Sequence, residues 1–525
     1  MNLARSLGSV GGLTLASRIL GLARDMLFAQ FVGANFASDA FFVAWRMPNM
    51  FRALFAEGAF SAAFIPMFNK KVADKDGPGL PAGIAFAQDA LSVLLPALIL
   101  MTLLLELFAW PATFAISGGG FNGVAADKFG FAVLLSRITF PYLMLISLCS
   151  LLGGILNSLQ KFWVAAAAPI LLNVAQIVAL LFFHTHDQLL TAENQAIAVT
   201  LGGALQLVWL LQACWTNHIR FRIRLPRFTP DVKRLMRLIA PAAAGAGAVQ
   251  FNLVVSTALA TGLLAHGSAS YINYADRLNQ LPLGLIGIGL GTVLLPTISH
   301  QLGRGADAEA MMTQNRGLEL ALFFTLPATV ALVVCGVPII QALFQHGRFD
   351  ASDAVKTGQA LAAFSIGLPS YVLVKVLTPG YYARHDTRTP MRFAMISIAI
   401  NLVLNLVFIL PLKHVGPPLA TALASTVNVW MLYSTLKRRG HFQSDARLRR
   451  RIPRLAVAAI LMGAALYWFA PLVEPYMAGP LLRRFAALVV LVGAGVGVYG
   501  IACFLTGAFV LDDVKLLLKR QARGT

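Results

Sequence analysis

Seven basic residues stand inside apolar stretches of this 525-residue chain: Arg18, Arg24, Arg46, Arg52, Arg137, Arg277 and Lys375. A charge buried in an apolar helix is costly, and it usually faces a cavity or a partner. The acids nearby are Asp25, Asp39, Glu57 and Asp276. Helical spacing sorts them. Arg18 and Asp25 are seven apart and share a face, as do Asp39 and Arg46. Ser17 and Arg24 share a face displaced by about 100° from that of Arg18. Arg52 and Glu57 fall on one broad polar stripe. Asp39 and Arg46 are expected to form a buried ion pair. The acids are too few to neutralise Arg18, Arg24 and Arg52 as well, so the surplus charge calls for an anion. A guanidinium fork matches phosphate oxygens and stays charged when partly dehydrated. The chemistry expected is therefore binding of a phosphate or pyrophosphate. Asp276 either orients Arg277 or holds it until substrate arrives.

Other polar features are weaker. Asn401 and Asn405 share a face, which suits interhelical hydrogen bonds or a coupling-ion site. Arg137 and Lys375 either line a cavity or pair within the protein. His184 and His186 stand at a span end, and no histidine grouping supports a metal. Asp512 and Asp513 form the only adjacent acidic pair and lie in a charged C-terminal helix, so an enzyme acting on lipid pyrophosphates is not expected. No phosphate-binding loop of the P-loop type occurs, which argues against ATP hydrolysis by this chain.

The elements that must position these groups follow from composition. The chain is 58% hydrophobic and 12% charged. Soluble proteins run near 45–50% apolar and about 25% charged. A polytopic all-α membrane protein is implied. Apolar runs between polar breaks predict fourteen spans, near 7–31, 37–68, 84–111, 129–158, 163–184, 194–217, 235–265, 269–299, 317–345, 354–383, 391–412, 416–436, 454–472 and 484–508. With the N-terminus inside, 29 Lys and Arg fall in cytoplasmic loops against 6 on the opposite side. That asymmetry predicts both termini in the cytoplasm. It also explains the net charge of +20 without nucleic acid. The basic loops 217–237 and 437–454 are accordingly expected to set topology. Cys149, Cys214, Cys335 and Cys503 are far apart and read as small buried hydrophobes.

The chain contains an internal repeat. Pro66 recurs as Pro296, Pro141 as Pro369 and Asn173 as Asn401, at offsets of 230 and 228. Six spans per unit place the two units in the same sense across the membrane, as in other parallel-repeat transporters. The expected organisation is an N-terminal lobe over 1–218, a C-terminal lobe over 219–440, and residues 441–525 carrying spans thirteen and fourteen with a basic tail. Two lobes without a motor domain suggest alternating access.

Several blocks resemble one family. They are Ala16 to Asp25, Ser38 to Phe41, Arg46 to Arg52, Glu57 to Pro66, Tyr274 to Leu278, and Gly289 to Thr292. On these, the chain resembles the MurJ (MviN) family of the multidrug/oligosaccharidyl-lipid/polysaccharide exporter superfamily. The resemblance implies fourteen spans and export of lipid II, the undecaprenyl-pyrophosphate-linked peptidoglycan precursor, from the cytoplasmic to the outer leaflet of the inner membrane. It implies a central cavity in which Arg18, Arg24, Arg52 and Arg277 meet the pyrophosphate, with Ser17, Asp25, Asp39 and Asp276 close by. It implies a groove for the polyprenyl tail at spans thirteen and fourteen. Some members bind sodium through acids on spans seven and eleven. Span seven here has no acid and span eleven offers Asn401 and Asn405, so no cofactor is expected. Membrane lipids are expected neighbours, and the chain is expected to work as a monomer, other cell-wall synthesis proteins being conceivable partners. The rival readings are export of another polyprenyl-pyrophosphate-linked glycan or of a drug.

Overall fold

The computed structural model describes residues 3–55, 59–73, 79–123, 126–222, 224–477 and 479–508, and among these every regular element is helical. The first ten helices are α1 (Leu3–Val32), α2 (Phe36–Phe55), α3 (Ala59–Ala73), α4 (Leu80–Leu107), α5 (Ala109–Ile116), α6 (Ala126–Thr139), α7 (Pro141–Ser158), α8 (Phe162–Phe182), α9 (Gln188–Thr216) and α10 (Pro230–Leu263). The rest are α11 (Ser268–Gly303), α12 (Asp307–Val334), α13 (Gly336–Phe344), α14 (Ala351–Ile366), α15 (Leu368–Tyr382), α16 (Arg388–Leu412), α17 (Gly416–Arg438), α18 (Ala446–Val473) and α19 (Leu481–Leu505).

Helix starts follow local chemistry. The Asp187 side chain accepts the Leu189 amide ahead of α9, and Thr229 accepts the Val232 amide ahead of α10, where Pro230 opens the helix. Asp350 and Asp353 form a reciprocal capping box at α14. Asp445 caps α18 by accepting the Leu448 amide.

Ten stretches among the described residues are long and apolar enough to cross a membrane, one of which, Arg388–Arg438, contains both α16 and α17. The expected spans 129–158 and 354–383 each resolve into two helices, α6 with α7 and α14 with α15. Helix breaks recur along the chain: α5 begins at Ala109 and α13 at Gly336, 227 apart, and α4 and α12 begin at Leu80 and Asp307, also 227 apart.

The chain packs as two compact units: Met1–Ser270 with His346–Phe349, and Tyr271–Gln345 with Asp350–Thr525. In the first, α7 is the central element, with Tyr142, Leu143, Leu151 and Ile155 fully buried. The α8–α9 hairpin packs beside it, α1 lies on α8, and α10 packs on α3 and α2. In the second, α16 pairs with α17, α12 contacts α15 and α18, and α18 packs on α19. Packing groups α10 with the first unit, whereas the lobes expected at 1–218 and 219–440 divide the chain by its repeat.

Candidate functional site

In the first unit, α1 carries Ser17, Arg18, Arg24 and Asp25. Arg24 sends Nε and Nη2 to the Asp25 carboxylate at 2.9 and 2.6 Å, and Nη1 to the Asn173 side-chain oxygen at 3.2 Å. The Asn173 amide in turn donates to the Ser17 carbonyl at 3.0 Å. One residue of α8 thus meets both Ser17 and Arg24, whose seven-residue spacing put them on one face. Asp25 is buried, and Arg18 is half-buried on the preceding turns. On α2, Arg52 donates through Nε to the Asn49 side chain at 3.0 Å. Glu57, expected beside Arg52, lies outside the described residues.

Asp39 departs from expectation. It is 2% exposed, and its carboxylate accepts the Gly267 amide at 2.6 Å, the Ser270 amide at 2.8 Å and the Ser270 hydroxyl at 2.6 Å. Ser38 and Ser270 join their hydroxyls at 2.8 Å. The ion pair expected between Asp39 and Arg46 is therefore not made. An acid on α2 instead satisfies the unpaired amides that open α11, where the helix dipole favours negative charge.

The connector between α10 and α11 is held a second time. The Asn122 amide donates to the Thr261 carbonyl at 3.1 Å and the Asn122 side chain to the Leu263 carbonyl at 3.2 Å. A Cβ on Gly118 would lie 2.0 Å from the Ala258 carbonyl oxygen, so backbone meets backbone with no space for a side chain. Beside this contact lies a cavity of about 400 Å³ lined by Met47, Ala115, Phe251, Val254, Val255 and Leu259, among other apolar residues. It has no group to hold an anion.

In the second unit, α11 carries Asp276 and Arg277, both half-buried. Asp276 accepts the Gln280 side chain at 2.5 Å, one turn on. The stem of Lys375 on α15 packs on Gly287 of α11. Asn405 donates to Asn401 at 2.9 Å one turn earlier on α16, and Asn401 donates to Thr421 of α17 at 3.1 Å, so Asn401 makes an interhelical hydrogen bond and Asn405 supports it from within the helix. Among the described residues no three His, Cys, Asp or Glu gather to hold a metal ion.

One buried acid escaped the sequence reading. Glu319 of α12 accepts Arg316 of its own helix and Arg447 and Arg451 of α18. Arg447 and Arg451 belong to the basic stretch 437–454, which charge asymmetry by itself assigns to topology. Their four-residue spacing, with Arg316 three residues before Glu319, was the available signal.

A family model described as lipid II flippase MurJ matches residues 28–486. A probable lipid II flippase MurJ of Rhizobium tropici is 40% identical over 525 residues, covering 99% of this chain and 97% of that protein. A lipid II flippase MurJ of Burkholderia cenocepacia is 35% identical, covering 90% of each chain. A solved structure of lipid II flippase MurJ in an inward closed conformation has a TM-score of 0.77 at 25% identity, covering 94% of this chain and 98% of that one. An inward-facing multidrug resistance MATE family transporter of the MOP superfamily has a TM-score of 0.64 at 13% identity, covering 81% of this chain and 95% of that one, which is a likeness of fold.

Proposed function

This chain belongs to the lipid II flippase MurJ family, and on that premise we propose that it flips lipid II across the inner membrane as part of peptidoglycan synthesis. It is a transporter, not an enzyme, and a multi-pass membrane protein. The observation that carries the reading is the family match over residues 28–486, joined to arginines set in apolar helices.

Arg18, Arg24, Arg52 and Arg277 take the pyrophosphate. Ser17 and Asp25 shape the surroundings of the α1 arginines, Asp276 those of Arg277, and Asp39 holds the start of α11. The chain crosses the membrane fourteen times with both termini in the cytoplasm: the ten apolar stretches hold eleven spans, and α1, α2 with α3, and α10 supply the charged or small-residue-rich remainder. Residues 1–218 and 219–440 are the two repeat lobes that alternate access. The pair α18–α19, which follows the repeat, takes the polyprenyl tail. The protein works as a monomer and without a cofactor.

The energy source fits the charge. A pyrophosphate carries about two negative charges, and the cytoplasm is electrically negative. Moving each charge outward across 100 mV gains about 2.3 kcal/mol, so two supply roughly 4–5 kcal/mol.

Rescue tests the substrate. A host depleted of its own lipid II flippase and expressing this chain is expected to regain lipid II on the outer leaflet. Full membrane levels without exposed lipid II would transfer the reading to another polyprenyl-linked glycan.

A further inference from the structure

The α12–α18 seam contains a polar knot at one end and an apolar interface along the rest. Glu319 is 8% exposed, and α12 runs on from it as an almost entirely apolar helix to Val334. Arg447 meets it as a fork, Nε and Nη2 each donating at 3.2 Å to a different carboxylate oxygen. Arg316 and Arg451 donate to it as well, and Arg316 bridges to Asp445, the residue that caps α18. Asn315 fastens the same turn, its side chain donating to the Gln443 carbonyl at 2.9 Å and accepting the Asp445 amide at 3.2 Å.

Beyond this end the seam is hydrocarbon. Leu455, Ala459, Met462 and Leu466 of α18 belong to one buried cluster with Leu326 and Val330 of α12 packed against it. In water such packing would hold the helices together. In a bilayer the lipid tails are as apolar as leucine, and burial gives no net drive between helices. Two other ties, from Tyr499 to the Phe323 carbonyl at 2.8 Å and from Arg484 to the Gln345 carbonyl at 2.6 Å, come from α19 and each use one backbone acceptor. Among the described residues, the directional contacts of α18 on α12 thus gather at this one end, where the Glu319 carboxylate accepts from two α18 arginines.

We infer that Glu319 is a positioning residue for transport: it anchors the α18–α19 pair to α12, so that the pair keeps its place and can guide the lipid tail. The inference rests on the proposed tail-binding role of that pair. A buried acid with three guanidiniums is poorly replaced by an amide, because the arginines are then left crowded without their counter-charge.

The test uses the full chain in proteoliposomes, with lipid II of native undecaprenyl length and a short-chain analogue carrying the same headgroup. Glu319→Gln is expected to slow flipping of the long-chain substrate at least fivefold and of the short-chain one less than twofold. A positional defect is repairable by a covalent tie. A Cβ at Gly463 would lie 3.9 Å from the Val330 Cβ, within disulfide range. With the four native cysteines replaced, Val330→Cys and Gly463→Cys are oxidised in the Glu319→Gln chain. Restored long-chain flipping, lost again on reduction, supports the anchor. Unchanged flipping, an equal loss for both substrates, or no recovery despite a formed disulfide would each overturn it. Should Glu319→Gln fail to reach the membrane, Arg451→Gln is put through the same comparison. A wild-type chain that flips neither substrate refutes the flippase reading itself, a separate result from any variant difference.

Discussion

The carboxylate of Asp39 receives both the amide and the hydroxyl of Ser270, at 2.8 and 2.6 Å, across 231 residues of chain. With the Gly267 amide added, it serves as an N-cap supplied from another helix. Three donors converge on a side chain with almost no access to water, so the site depends on the negative charge of both oxygens.

Asp39→Asn keeps the shape but turns one acceptor into a donor, leaving a buried amide unsatisfied at about 1–3 kcal/mol. Hydrogen exchange at Gly267 and Ser270 is expected to quicken roughly five- to a hundredfold, with flipping reduced at normal membrane levels. Unaltered exchange would remove the cap from the account.

Asn173 sets the position of Arg24 from α8. Asn173→Ala removes a hydrogen bond worth about 1 kcal/mol and should weaken apparent affinity for lipid II roughly fivefold, with a smaller effect on maximal rate. Arg24→Lys should cost more, since an ammonium cannot meet Asp25 and Asn173 with one planar group. Transport rates against substrate concentration separate the two effects.

Gly118 and Gly123 both have positive φ, at 70°, but differ in surroundings. A Cβ at Gly118 meets the Ala258 carbonyl oxygen at 2.0 Å, whereas one at Gly123 meets nothing within 4 Å. Gly123→Ala should cost only the left-handed strain, about 1–2 kcal/mol. Gly118→Ala must also push α10 away, and thermal unfolding in detergent should show a clearly larger loss. Equal losses would refute the close approach.

Between α15 and α16, Asp386 accepts the Thr389 amide at 3.0 Å and Arg439 at 2.6 Å. Hydrogen bonds from Thr389, with help from Arg439, hold its carboxyl down from 3.8 to about 2. The stabilisation is present above the ordinary carboxylate value and is lost as pH falls through about 2. Asp386→Asn should therefore lower the melting temperature slightly at pH 7, with the difference from wild type shrinking below pH 4. A difference that grows on acidification would reverse the assignment.

Apolar runs with polar breaks located most of the helices, because burial in lipid imposes length and composition directly. Breaks inside a span were not legible: the chain turns at Phe108, within the run expected to reach 111, and continues as α5. The arginines on α1 and α2 stood out because few acids were near enough in sequence to neutralise them. Periodicity ranks only partners on the same helix. It therefore offered Arg46 to Asp39, whose partners stand at 267 and 270, and it left Glu319 unnoticed, since Arg447 and Arg451 approach from α18. Long-range pairing is decided by packing, which spacing does not encode.

The central claim is that intramembrane arginines carry the pyrophosphate of lipid II. The most direct measurement follows labelled lipid II across proteoliposome membranes containing the purified chain, wild type or with Arg18, Arg24, Arg52 or Arg277 changed to Ala, under an imposed potential. The account predicts flipping by wild type that speeds up when the lumen corresponding to the cytoplasm is negative, and at least tenfold slower flipping by each variant. Variants that flip lipid II at the wild-type rate would contradict it.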